Sequence, residues 1–109
     1  MAEPTSPMPL RSTLASDPDM VELVQEFVQE LPNRAATLES LLTASSFSDL
    51  RRLAHQLKGA AGGYGFSPIS ESAAKVETTL REDVSGEQVQ VLRSQVEELV
   101  GLCRRATAG

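Results

Sequence analysis

The stretch LRRLAHQLKGAAGGYGF, Leu50 to Phe66, decides how the chain is read. Wound as a helix at about 100° per residue, it puts Leu50, Leu53, Leu57, Ala60, Ala61 and Tyr64 on one apolar face. The chain's one histidine, His55, points almost directly away from that face, among Arg51, Arg52, Lys58, Gly59 and Gly62. A histidine placed for packing would lie on the stripe. Gly59 resists a packing explanation too, because Gly inside a helix costs about 1 kcal/mol relative to Ala. The stretch therefore sets a histidine on a solvated, basic face, and the residue one turn beyond it carries no side chain.

The flanking sequence supplies partners for the apolar face. Upstream, Asp17 is a good helix N-cap and Pro18 a good first residue. Met20, Val24, Phe27, Leu31, Ala35, Leu38 and Leu42 then recur at spacings of three and four. The phase runs straight through Pro32, which argues for one long kinked helix over Asp17–Ala44 rather than two. Ser45–Ser48 breaks the pattern, and Ser46 or Ser48 caps the central helix, Ser48–Gly63. Ser67-Pro68 reads as cap and first residue of a third helix ending near Asp83, with Ile69, Ala73, Val76 and Leu80 inward. Val84-Ser85-Gly86 separates it from a fourth, Glu87–Arg105, with Val89, Leu92, Val96, Leu99, Val100 and Cys103 inward. Four amphipathic helices with short connections predict an all-α, antiparallel up-down-up-down bundle over residues 17–106. Residues 1–16 are expected to be a flexible, extended or short-helical segment: Pro4, Pro7 and Pro9 disfavour regular structure, and Leu10 and Leu14 are its anchors. Residues 107–109 are expected to fray.

Composition agrees with one helical domain. The chain has 109 residues, with 40% hydrophobic and only 4% aromatic. Its net charge of −5 argues against nucleic acid as a partner. No apolar run approaches the ~20 residues that span a bilayer, and no secretory signal pattern opens the chain, so a cytoplasmic, monomeric protein is expected. The single cysteine, Cys103, falls in an apolar register as a small core residue. The glycines after His55 follow a helix rather than a strand, so they are not a dinucleotide-binding fingerprint.

A neutral imidazole is a capable nucleophile, with a ring nitrogen free to attack at cellular pH. A phosphoryl group arriving there brings close to two negative charges, and Lys58 stands on the same face to meet them. With this the sequence resembles a family. His55, Leu57, Lys58, Gly59, Ala61, Gly62, Gly65 and Phe66 are similar to the phosphoacceptor helix of histidine-containing phosphotransfer (HPt) domains, and the likeness extends over roughly Asp17 to Arg105. The resemblance implies a carrier with no cofactor of its own. His55 takes a phosphoryl group from a receiver-domain aspartate or a hybrid sensor histidine kinase and passes it to another response-regulator receiver domain. The partner brings the acidic pocket and Mg²⁺. By position His55 is the phosphorylated residue and Lys58 the phosphate-facing lysine. Gly59 and Gly62 would leave room for the receiver, and Arg51 and Arg52 would steer it.

Glu77 stands beside Val76 at the edge of the third helix's apolar stripe, on the seam facing the central helix. An acid at a seam needs a partner. The His55 ring nitrogen nearer the backbone could supply one across the seam, and Arg81, four residues on, could supply another. Counted from the histidine, Glu77 also falls where chemotaxis-kinase acceptor domains carry a glutamate, whereas phosphorelay HPt domains often have glutamine. Two other classes stay open at this point. A helical adaptor binding an acidic partner would present the same basic face, and the chain could be the acceptor domain of a larger chemotaxis-type kinase. An acid–base or metal enzyme is disfavoured, because one His and one Cys far apart form no His/Cys ligand cluster.

Overall fold

In the computed structural model, residues 9–82 and 84–108 are described. They form a four-helix bundle: α1 (Val21–Thr43), α2 (Phe47–Gly63), α3 (Ser67–Leu80) and α4 (Glu87–Arg105). Two short strands, β1 (Leu10–Arg11) and β2 (Ala106–Thr107), pair in parallel, with Leu10 opposite Ala106 and Arg11 opposite Thr107.

The core follows the helical periodicity. Val24, Phe27, Leu31, Ala35 and Leu38 line the inside of α1, and α1 runs unbroken through Pro32. Ile69, Ala73, Val76 and Leu80 do the same for α3, as do Leu92, Val96, Leu99, Val100 and Cys103 for α4. Each fully buried Leu or Ile stabilises the fold by roughly 2 kcal/mol. On α2 the stripe keeps Leu50, Leu57 and Ala61 but is centred nearer Ala54 than expected. Leu50, Ala54, Leu57 and Ala61 are the buried row, while Leu53, Ala60 and Tyr64 are half-buried. Tyr64 instead meets α1, with its ring centroid 4.9 Å from that of Phe27. Burial pushes the Cys103 thiol up to about 11, as expected for an inert core thiol.

Several boundaries differ from the expected ones. Asp17 and Pro18 lie in a turn ahead of α1: the Asp17 carboxylate accepts the Asp19 N–H at 2.9 Å and its carbonyl accepts those of Met20 and Val21. Asp17 thus caps a turn rather than the helix proper. Ser46 stands at the N-cap of α2 but its hydroxyl makes no capping bond. Phe66, not Ser67, stands at the N-cap of α3, and α3 ends at Leu80; Asp83 lies outside the described residues.

The glycines after His55 find an explanation here. Phe66 N–H bonds the Ala61 carbonyl at 2.8 Å and Gly65 N–H the Gly62 carbonyl at 3.4 Å, which closes α2 with a Schellman turn. That turn needs a left-handed residue, and Gly65 has φ +84°. It also needs space, because Leu10–Leu14 passes directly over it. Ser12 donates its hydroxyl to the Tyr64 carbonyl at 2.6 Å, and Thr13 N–H donates to the Gly65 carbonyl at 2.9 Å. The segment from Leu10 is therefore fastened rather than flexible, and Thr107, expected to fray, is held in β2. The prolines Pro4 and Pro7 lie outside the described residues.

A Cβ on Gly65 would stand 2.5 Å from Ser12 Oγ and 3.0 Å from the Leu14 nitrogen. Gly65→Ala is therefore expected to destabilise the domain by about 2 kcal/mol, from backbone strain plus displacement of this strap. Urea unfolding measures it; a loss below about 0.5 kcal/mol would mean that the strap does not sit on Gly65.

Candidate functional site

The site is built by two antiparallel helices. Ser70 Oγ on α3 donates to the Lys58 carbonyl on α2 at 2.8 Å, and Gly62 lies against the same Ser70. Moving back along α2 and forward along α3 brings His55 opposite Glu77. His55 follows the buried Ala54, so its ring leaves the bundle, and its side chain is 64% exposed. Glu77 follows the buried Val76 and is itself 5% exposed.

The two meet across the seam. His55 Nδ1 lies 2.8 Å from Glu77 Oε2, while the other carboxylate oxygen, Oε1, takes the Lys58 ammonium at 2.8 Å. Arg81 reaches Oε2 only at 3.5 Å, as an ion pair without a hydrogen bond. A buried carboxylate with this much positive charge stays ionised. The Lys58 hydrogen bond, followed by the weaker His55 bond, outweighs burial and holds the Glu77 carboxyl down to about 2. An ionised carboxylate can only accept, so Nδ1 carries the proton. In the neutral ring the lone pair is then on Nε2, which makes no hydrogen bond among the described residues.

Beside His55 is an open cleft of about 410 Å³ lined by Ser48, Arg51, Arg52, His55, Glu77 and Arg81. Three arginines on its walls make it a cationic surface in a chain of net charge −5. On the far side of the ring, Gly59 is open: a Cβ there would meet nothing within 4 Å. Among the described residues no group of three or more His, Cys, Asp or Glu side chains is placed to hold a metal ion. Among the described residues no helix is long and apolar enough to cross a membrane.

A family model described as Hpt domain matches residues 22–102. The chain belongs to the Hpt domain family. Neither a curated protein nor a solved structure shows a match. Hpt domains are phosphocarrier modules of two-component signalling, working with receiver domains and kinases, and the four-helix architecture agrees.

Within this Hpt domain the residues expected to share one face divide into three groups. His55, Arg51 and Arg52 stay together in the cleft. Lys58 does not line the cleft with them: its ammonium is bonded to Glu77 Oε1 at 2.8 Å, beside the cleft wall. Helical periodicity places its Cα correctly but says nothing of which way a long side chain leans. Gly62 packs near α3, where an added Cβ would be 3.4 Å from Ser70 Oγ, so its small size serves the α2–α3 approach as well as any docking. Both contacts weighed for Glu77, to His55 and to Arg81, are present at once. Arg52 pairs loosely with Asp49 at 3.7 Å, and Arg51 makes no ion pair among the described residues. The residue that sequence reading underrated is Arg81, considered only as a partner for Glu77. The signal was the four-residue step from Glu77, which stacks Arg81 over the same seam.

Proposed function

We propose that this Hpt domain is a phosphoryl carrier in a two-component phosphorelay. His55 accepts a phosphoryl group from the aspartyl phosphate of a receiver domain, or from a sensor kinase, and passes it to the aspartate of another receiver. One observation carries the reading: an exposed imidazole whose Nδ1 is bound to a buried, ionised carboxylate, with Nε2 left open.

The chemistry follows from that proton. The Nε2 lone pair attacks phosphorus, the N–P bond forms, and the bond to the acyl oxygen breaks, releasing the partner's carboxylate. No proton has to leave the ring during the attack, because Nδ1–H stays with Glu77. The product imidazole is cationic, and the Glu77 carboxylate stabilises it. Glu77 thereby orients the ring and fixes its tautomer, and Lys58 helps to keep Glu77 charged and in place. Reversal of the same steps returns the group to an aspartate. Catalysis is positioning and charge neutralisation, with Mg²⁺ supplied by the receiver's acidic pocket. The domain works as a cytoplasmic monomer.

The test is transfer of radiolabel from a phosphorylated receiver domain. A carrier gains acid-labile, base-stable label, whereas a helical adaptor binds and gains none. A specific observation also favours a second reading, the acceptor domain of a chemotaxis-type kinase, namely a glutamate at position 77 rather than a glutamine. Faster labelling by such a kinase than by any receiver would select it.

Gly59 separates docking from folding. An exposed helical Gly with empty space around it is intrinsically unfavourable, so Gly59→Gln is expected to stabilise the domain by about 0.5–1 kcal/mol. The same side chain would stand in the receiver's path, and transfer is expected to fall at least about tenfold, the equivalent of ~1.4 kcal/mol. A thermal melt and a transfer assay on one variant check both. Wild-type transfer would remove the clearance argument.

A further inference from the structure

We infer that Ser70 is a positioning residue for His55: its hydroxyl, bonded to the Lys58 carbonyl, sets the axial register of α3 on α2 and thereby delivers Glu77 to the imidazole. This inference rests on the carrier reading and deepens it.

Lys58 is held by α3 through both its backbone and its side chain. Its carbonyl accepts the Ser70 hydroxyl at 2.8 Å, and its ammonium meets Glu77 Oε1 at 2.8 Å. Ser70 and Glu77 are about two turns apart on α3, so they lie on one side of it. Helical side chains lean toward the N-terminus of their own helix. In antiparallel helices Lys58 and Glu77 therefore lean toward each other. The path from Ser70 along α3 to Glu77, and back through Lys58, closes on itself.

A serine does not make this bond by default. A hydroxyl within a helix usually turns to water or to the carbonyl one turn back in its own helix. The Lys58 carbonyl lies inside α2, ahead of the end where carbonyls lack amide partners, so by helical geometry it already accepts an amide. Ser70 Oγ nevertheless donates to it. Gly62 permits the approach, since a Cβ at that position would stand 3.4 Å from Ser70 Oγ. Ser72, turned to another side of α3, is buried with a hydroxyl that has no partner among the described residues. The bonds of Glu77 to His55 and Lys58 are both 2.8 Å long. Such bonds tolerate a few tenths of an ångström, whereas a slide of one residue along the seam is about 1.5 Å.

Two readouts test the role. Ring ¹⁵N shifts of His55, read where the imidazole is neutral, report which nitrogen holds the proton. Phosphoramidate, a small donor that needs no docking surface, reports the rate of labelling. Ser70→Ala removes only the hydroxyl and leaves a better helix former. It is expected to move part of the ring proton population from Nδ1 to Nε2 and to label about two- to fivefold more slowly, the range one neutral hydrogen bond can supply. Ser72→Ala, which removes a hydroxyl from the same helix, should change neither. Because Ser70 acts through Glu77, adding Ser70→Ala to Glu77→Gln should slow labelling no further. Wild-type ring shifts in Ser70→Ala, or a slowing that multiplies with that of Glu77→Gln, overturns the positioning role while leaving His55 as carrier. Failure of wild type to take label from either phosphoramidate or a receiver overturns the carrier reading, and the ring shifts then still decide whether Ser70 sets Glu77 against His55.

Discussion

Replacing His55 with Gln is expected to abolish phosphoryl acceptance and leave the bundle folded. The loss should be at least about a thousandfold, since a glutamine amide nitrogen has no available lone pair with which to attack phosphorus. The fold should survive because the ring touches no core residue's place in the stripe: its neighbour Ala54 is buried, and His55 itself is mostly exposed. Its one hydrogen bond, to Glu77, can be partly replaced by the amide, and Lys58 continues to satisfy Glu77. Acid-labile label and a thermal melt are the two readouts. Retained label at wild-type level would remove His55 as the acceptor, and a collapsed melt would remove the claim that it stands outside the core.

The second large effect is an acid sensitivity owed to Glu77. Its folded carboxyl titrates at about 2, against an ordinary value of 4.5. A depressed carboxyl stabilises the fold above the unfolded value and loses that contribution as pH falls through the folded one. The window is therefore from about pH 4.5 down to about pH 2, and the ceiling is about 3 kcal/mol. Solvent lowers the realised figure, because Lys58 is 35% exposed and His55 more so. Denaturant unfolding should show wild type losing more stability than Glu77→Gln across that window, since the amide cannot titrate. At neutral pH the variant should be the less stable of the two, with Lys58 deprived of its counter-charge. It should also accept phosphate more slowly, because a neutral amide holds the Nδ1 proton less firmly than a carboxylate and does not stabilise the cationic product, and ¹⁵N shifts of the ring report that change directly. Parallel pH profiles for the two proteins would mean that Glu77 is not a buried ion in the folded chain.

What the sequence could reveal depended on the range of the cause. Burial of Val24, Leu31, Leu57, Val76 and Leu99 follows from helical periodicity, which is local, and it was legible. So was the outward direction of His55, and so was Glu77's place on the seam beside Val76. The burial of Ala54 ahead of Leu53 on α2 was not, because both are apolar and only the packing of the neighbouring helices chooses between them. Helix starts depend on hydrogen bonds as local as those of Asp17, yet a turn and a first helical turn share the same signal there. Lys58 illustrates a different limit. Its face could be read, but its partner could not, since the preference for Glu77 over water exists only once α2 and α3 lie antiparallel. The strand pairing of Leu10 with Ala106 lay wholly beyond local pattern, because neither dipeptide has any strand character of its own.

That pairing bears on how the domain comes into being. A chain made from its N-terminus presents β1 before the four helices and β2 after them, so the ladder between them cannot close until the whole bundle has been synthesised. Closure entropy grows only with the logarithm of the intervening length, so the wait is a matter of timing more than of free energy. The helices can meanwhile dock through contacts much nearer in sequence, such as the α2–α3 turn. The strap at Ser12 and Thr13 is already made when Gly65 turns, so it can settle there early, and only the Leu10–Arg11 ladder waits for the fourth helix.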